Sequence, residues 1–331
     1  MQILECPSLE GKRVEHIYKS IDRWLRSPAL SVLVQHFDAE IPFHLNTTDL
    51  GAWLLDFSER WDFRKLQQAA TAKDTAEGAR WLVDDSSLTE AQRNITKESA
   101  RELGLIGQEI PNKNTYDFVW VLGGARLSCL LRPRLAARLI TERGLLCSMI
   151  ALLSSAREVA ETETEATDTY APGAKTEFDL INKGAEREFN IKASFTEERY
   201  ADDENPNGSW VIRTYDKIGN LPPLLSLSAP SSRLYPLPAN SADTYNFFFE
   251  HIQVPPGSSF LLITSQIYVP YQQLEALRTV ALKHNVVIET VGFPLEWSGD
   301  LQGMSGASNY LQEIRSTIQS ANRFFSAFPK R

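Results

Sequence analysis

Apolar positions along this chain follow two different periods. Up to about residue 105 they recur every three to four residues, the spacing of helices with one buried face. From Val14 to Gln35 the stripe is Ile17, Ile21, Trp24, Leu25, then Leu30, Leu33 and Val34, and Pro28 breaks it into two helices or one kinked helix. Leu50, Trp53, Leu54, Phe57 and Trp61 predict another, capped by Thr48 or Asp49. Two more are expected over Asp74–Val83 and Leu88–Leu105. The tryptophans Trp24, Trp53, Trp61 and Trp81 keep helical company and read as core rather than as ligand platforms.

Beyond residue 114 short apolar runs alternate with helical stretches. Phe118–Leu122, Cys147–Leu153, Phe260–Thr264 and Val286–Val291 are apolar on both faces, as central parallel strands are. The helical patterns between and after them cover the arginine-bearing segment after Gly124, in which Pro133 fits best in the first turn, then Lys175–Phe189, Val269–His284 and Asn309–Phe328. Leu234–Leu237 reads as a further short strand, followed by a helix over Tyr245–Glu250. Such alternation predicts an α/β fold, a Rossmann-like parallel sheet flanked by helices, behind an all-helical N-terminal region. The expected division is a helical region over 1–113 and an α/β domain over 114–331. An insertion at about 195–232 is read as a hairpin-like flap around Trp210–Tyr215.

Composition narrows the function. With 331 residues and 43% hydrophobic residues a large core is available, and a formal charge of −8 argues against a nucleic-acid surface. Three scattered cysteines and the lack of a membrane-length apolar run point to a soluble cytoplasmic protein with no disulfide framework. Oligomeric state is left open.

Candidate chemistry gathers where the strands end. Gly123 and Gly124 after the first strand, Ser154 and Ser155 after the second, and Thr264 and Ser265 after the third would share one rim if those strands are neighbours. There they would offer amides and hydroxyls to a phosphate, carboxylate or ribose, unless small residues only let helices pack closely. Arg126 and Arg157 lie just beyond two of the ends, as anion ligands or as surface ion-pair residues. Asp243, with Thr244 and Asn246, is a general base and hydroxyl-binding group or else part of a helix cap. Glu177 is a catalytic carboxylate or an ordinary first-turn acid. Gln266, Tyr268 and Gln272 could read a base or amide edge, or line a solvated loop. His36, Asp38, Glu40 and His44 match no strong ligand spacing, so no metal is favoured, and no GxSxG, HExxH or paired CxxC occurs.

The order of these features resembles the YdcF/ElyC/SanA family. The residues that carry the likeness are Leu122-Gly123-Gly124, Arg134 with Ala137, Leu153-Ser154-Ser155, Glu177, Ser241-Asp243-Thr244-Tyr245-Asn246 and Ile263-Thr264-Ser265. The likeness runs from about Asp117 to Val291 without the insertion. It departs where the family often has Ser-Gly-Gly and a histidine with an arginine; this chain has Ser154-Ser155-Ala156, and Tyr268 and Tyr271. The resemblance implies a Rossmann-like domain that binds a small molecule at the carboxyl edge of its sheet. A nucleotide-like ligand such as S-adenosylmethionine is proposed for one branch. The expected function is a transferase or hydrolase on such an anionic molecule, or a binding protein that keeps the fold without the chemistry.

Overall fold

A computed structural model describes residues 4, 13–63, 65, 85–107, 110–160, 167–301 and 306–329. The helix expected over Asp74–Val83, with Trp81, lies outside the described residues, as does part of the acidic stretch after the second strand. The N-terminal helices follow the apolar stripe: α1 (Arg13–Leu25), α2 (Pro28–Gln35), α3 (Thr47–Phe57) and α4 (Glu90–Glu102). Pro28 starts α2 behind the cap residue Ser27, which accepts from Leu30 N, so the break makes two helices. α3 is capped by Asn46, not by Thr48 or Asp49: the Asn46 side chain accepts from Asp49 N at 3.0 Å, because it precedes the helix where a cap must stand.

The α/β part then runs β1 (Thr115–Leu122), α5 (Arg126–Ala137), β2 (Leu146–Ser155), α6 (Glu177–Glu188), β3 (Phe195–Tyr200), β4 (Trp210–Tyr215), β5 (Leu224–Ala229), α7 (Ser241–His251), β6 (Ser259–Ser265), α8 (Val269–Ala276), β7 (Val287–Phe293) and α9 (Ala307–Ala327). The seven strands form one sheet in the order β3-β4-β5-β2-β1-β6-β7. β5, β2, β1, β6 and β7 pair in parallel, and β4 joins β5, and β3 joins β4, antiparallel. Read in chain order, the parallel strands stand third, second, first, fourth, fifth, so the order reverses between β1 and β6. The fold is a Rossmann-like α/β sheet with an N-terminal helical region.

Three expectations change. The stretch at 195–232 is no flap: β3 and β4 extend the sheet edge, and β5 inside the same stretch is a buried parallel strand. Its serines Ser226 and Ser228 and the preceding prolines hide the apolar run. Leu234–Leu237 is not a strand; it is a turn whose Leu234 and Tyr235 are exposed. Pro133 lies well inside α5 rather than in its first turn. Lacking an N–H, it cannot donate to Cys129 O, and that carbonyl faces α6 at Gly184, where an added Cβ would stand 2.3 Å from it. Backbone oxygen cannot swing aside as a side chain can. Gly184→Ala is therefore expected to cost about 1–3 kcal/mol by overpacking. A urea midpoint equal to that of the parent would show that α5 and α6 do not approach so closely.

Two apolar cores flank the sheet. One lies under α5 and α6, with Val119, Val121, Leu130, Leu152, Ile181 and Ile263. The other contains Trp120, Leu262, α7, α8 and α9 and continues without a break into the N-terminal helices through Trp24, Leu54 and Trp61. α9 joins the two regions. Its Arg315 donates to Leu55 O at 2.8 Å and pairs with Asp62, Asn322 donates to Gly51 O, and Ser320 donates to Glu275 on α8 at 2.6 Å. At its start the Asp85 carboxylate accepts from Ala307 N and Ser308 N, a negative group placed against a helix N-terminus. Among the described residues no helix is long and apolar enough to cross a membrane.

Candidate functional site

The reversal between β1 and β6 fixes where a ligand crevice can open. α5 leaves β1 toward one face of the sheet and α8 leaves β6 toward the other, so the crevice expected at such a reversal falls between these two strand ends. Gly123 and Gly124 stand there on β1, and Ser265 opposite them on β6.

Both glycines are required by close neighbours. A Cβ at Gly123 would meet Glu177 Oε1 at 2.2 Å and Leu153 O at 3.0 Å. Gly124, at φ 155°, would bring a Cβ to 3.1 Å from Ser128 Cβ and 3.4 Å from Arg132 Nη1. α5 begins directly after them with Ala125 as its cap, a residue that offers no side-chain oxygen to the first-turn amides.

Glu177 is the first residue of α6, which Thr176 and Asp179 hold in a capping box. Its carboxylate pairs with Arg157 Nε at 3.3 Å, and the two side chains are 10% and 14% exposed. Arg157 Nη2 also donates to Gly124 O at 3.2 Å, and Arg157 O accepts from Glu177 N at 2.8 Å. The turns after β1 and β2 and the start of α6 thus form one unit.

Arg132 is the residue that sequence reasoning passed over as a site member. It is 3% exposed, and its Nη1 donates to Leu122 O at 3.0 Å and to Gly123 O. Nε and Nη2 both donate to Ser265 Oγ, at 3.3 and 3.2 Å, so the guanidinium ties the end of β1 to the end of β6. Tyr268 lies beside it, ring centroid 5.9 Å from the guanidinium carbon. Burial pushes the Arg132 guanidinium below its ordinary range. A signal was present: Cys129, Arg132 and Ala136 share the buried face of α5, so the arginine had to point inward.

The other expected residues divide. Ser155 accepts from Arg157 N at 3.3 Å and stays at the rim. Ser154 is fully buried and donates to Leu227 O at 2.9 Å, which makes it a link from β2 to β5 rather than a ligand group. Thr264 is fully buried on the α8 side, away from Arg132, and its hydroxyl has no partner among the described residues. Gln266 Nε2 donates to Gly104 O at 2.8 Å, tethering the loop after α4, while its Oε1 is buried with no partner among the described residues. Gln272 accepts from Tyr245 OH at 2.6 Å and donates to Ser241 Oγ at 3.1 Å. Asp243 is the third residue of a helix that starts earlier than expected; it accepts from Asn240 N at 2.8 Å while Asn240 caps Asp243 N in return. That reciprocal cap is the cap reading of Asp243, with Asn240 as the capping residue. Thr244 donates to Ser241 O at 2.9 Å, and Asn246 is half-buried one turn below. Arg126 is half-buried at the rim. Among the described residues no three His, Cys, Asp or Glu side chains gather as metal ligands.

The family described as the Rv3785 N-terminal domain matches residues 9–104, the span of the helical region. Similarity to whole proteins extends much further. "Uncharacterized protein Rv3785" of Mycobacterium tuberculosis (strain H37Rv) and "Uncharacterized protein Mb3814" of Mycobacterium bovis are each 35% identical to the chain over 315 residues. The alignment covers 91% of this chain and 87% of each relative. No solved structure matches the chain.

Proposed function

The chain belongs to the Rv3785 family, and for this member we propose an enzyme that binds a nucleotide-like or other anionic small molecule at the carboxyl edge of its sheet. The observation that carries this reading is a coincidence of place. The topological reversal, the Gly123-Gly124 turn, the start of α5 and the inward Arg132 all fall between β1 and β6, and Arg157 reaches the same turn from the end of β2. In this reading the α5 amides and Arg126 face the anionic part of the ligand, and Arg157 and Ser155 border it from β2. Glu177 is the catalytic carboxylate of a transferase or hydrolase, paired with Arg157 until a ligand anion competes for that arginine. The resemblance to the YdcF/ElyC/SanA family supports a nucleotide-like ligand, S-adenosylmethionine among the candidates.

A non-catalytic binding protein is the second reading, and the state of Asp243 favours it. A carboxylate engaged in a capping box is poorly placed to act as a base. The test is a thermal-shift screen against nucleotides, S-adenosylmethionine, nucleotide sugars and acyl carriers, since a ligand of the native state raises Tm. Arg126→Ala is expected to abolish the shift of any hit. Turnover of the hit that disappears in Glu177→Gln, with binding kept, separates enzyme from binding protein. No shift across the whole panel would sink both.

A further inference from the structure

We propose that Arg132, with Ser265 beside it, is the receptor for one oxyanion group of the ligand, a phosphoryl or a carboxylate. This rests on the reading that the carboxyl edge holds an anionic small molecule, and it names the group that anchors it.

The first argument is charge balance. A guanidinium that is 3% exposed keeps its charge at neutral pH, and buried charges are ordinarily paired. Arg132 makes no ion pair among the described residues. Glu177, a carboxylate whose field reaches it, is engaged by Arg157. Its partners are two backbone carbonyls and one hydroxyl, which are neutral acceptors.

Hydrogen counting gives the second argument. Ser265 Oγ accepts from both Nε and Nη2, which occupies its two lone pairs, so its own hydrogen must be donated outward. Ser128 Oγ, at 3.4 Å, is a long-range acceptor for it at best. The second hydrogen of Nη2 has no acceptor among the described residues. The cluster therefore presents donors and a positive charge, and lacks acceptors. An oxyanion fits it; a neutral base edge, which also needs an acceptor, does not.

Access is the third. Gly124 is the residue above the guanidinium, and a side chain there would begin 3.4 Å from Nη1 and cover it. The glycine keeps a side chain of its own off that side of the guanidinium, where Ser128 and Tyr268 are the neighbouring side chains.

The experiment uses the full chain with inorganic phosphate and with acetate, each titrated against chloride at matched ionic strength. Calorimetry gives the affinity, and the Arg132 Nε–H resonance is followed by NMR. Arg132→Met removes the charge and also a donor for Leu122 O and Gly123 O. Arg132→Lys keeps the charge and a donor but not the fork, and so decides the matter if the first variant does not fold. Binding of phosphate or acetate is expected to fall about ten- to a hundredfold in Arg132→Lys, the loss for a charge-assisted hydrogen-bonded contact. The Nε–H signal is expected to move on titration in the parent. The tighter of the two anions tells a phosphoryl group from a carboxylate. Equal affinity in parent and Arg132→Lys, or an Nε–H signal that stays still at saturation, overturns the assignment. If Arg126→Ala then abolishes that same binding, the carboxyl-edge reading survives alone. If neither anion and nothing in the wider panel binds the parent, both fail.

Discussion

Trp120→Ala is expected to remove about 3–5 kcal/mol of stability, the range for emptying a buried aromatic site. The indole is fully buried in β1 and is surrounded by rings. It stacks on Tyr245 at 5.2 Å and meets Phe248 at 5.0 Å and Phe260 at 4.7 Å edge-on. Those rings belong to α7 and β6, so the void would open between the sheet and α7, where collapse is resisted from three sides. Phe249 completes the enclosure and itself stacks on His284 beyond α8. Equilibrium urea unfolding measures the loss. Trp53→Ala is the internal comparison: Trp53 is only half-buried and, among the described residues, its one ring contact is the stack on Phe57, so it should cost clearly less. Equal losses at the two positions would mean that the central aromatic cluster is no better packed than the helical surface.

The same core explains why the helical region is hard to separate from the sheet. Trp120 and Trp61 lie in one continuous apolar cluster, bridged by α9. The division near residue 113 follows a change of sequence period, and that change is real. It marks where helices give way to strands, while the packing runs across it.

Periodicity reached the elements whose burial is plain in their composition. Phe118–Leu122 and Phe260–Thr264 carry no polar residue before their ends, and α9 shows its stripe from Leu311 to Phe325. β5 escaped because Ser226 and Ser228 are as buried as its leucines, which local polarity cannot disclose. Pro133 misled for a related reason. Its cost in a helix is met by Gly184, a residue of another helix some fifty positions away. Of the site, the Gly123-Gly124 turn, Glu177 and Arg157 were legible one by one, as ends of elements. Their joining needed the strand order, because only the adjacency of β1, β2 and β6 places Arg157 on Gly124 O and Arg132 on Ser265. Asp243 went the other way, since its partner Asn240 stands three residues off and either role fits the same letters.

Arg157→Met is expected to cost about 3 kcal/mol, the low end for removing one partner of a buried ion pair, because it takes away the guanidinium that pairs with the mostly buried Glu177 carboxylate. The arginine also donates to Gly124 O, so the variant loosens the turn beneath the proposed ligand. The diagnostic comparison is with Arg157→Met combined with Glu177→Gln. Removing both charges removes the desolvation penalty along with the attraction, and a buried pair replaced in that way is often close to neutral. Urea unfolding of the four proteins forms a cycle, and a double variant more stable than Arg157→Met alone is the expected result. If the double variant instead loses the sum of the two single losses, the groups do not couple, and the 3.3 Å contact is incidental. Recovery of stability without recovery of ligand binding would assign the pair to the site rather than to the fold. A fold needs only that the two charges be matched or absent, whereas an anion site needs the arginine itself.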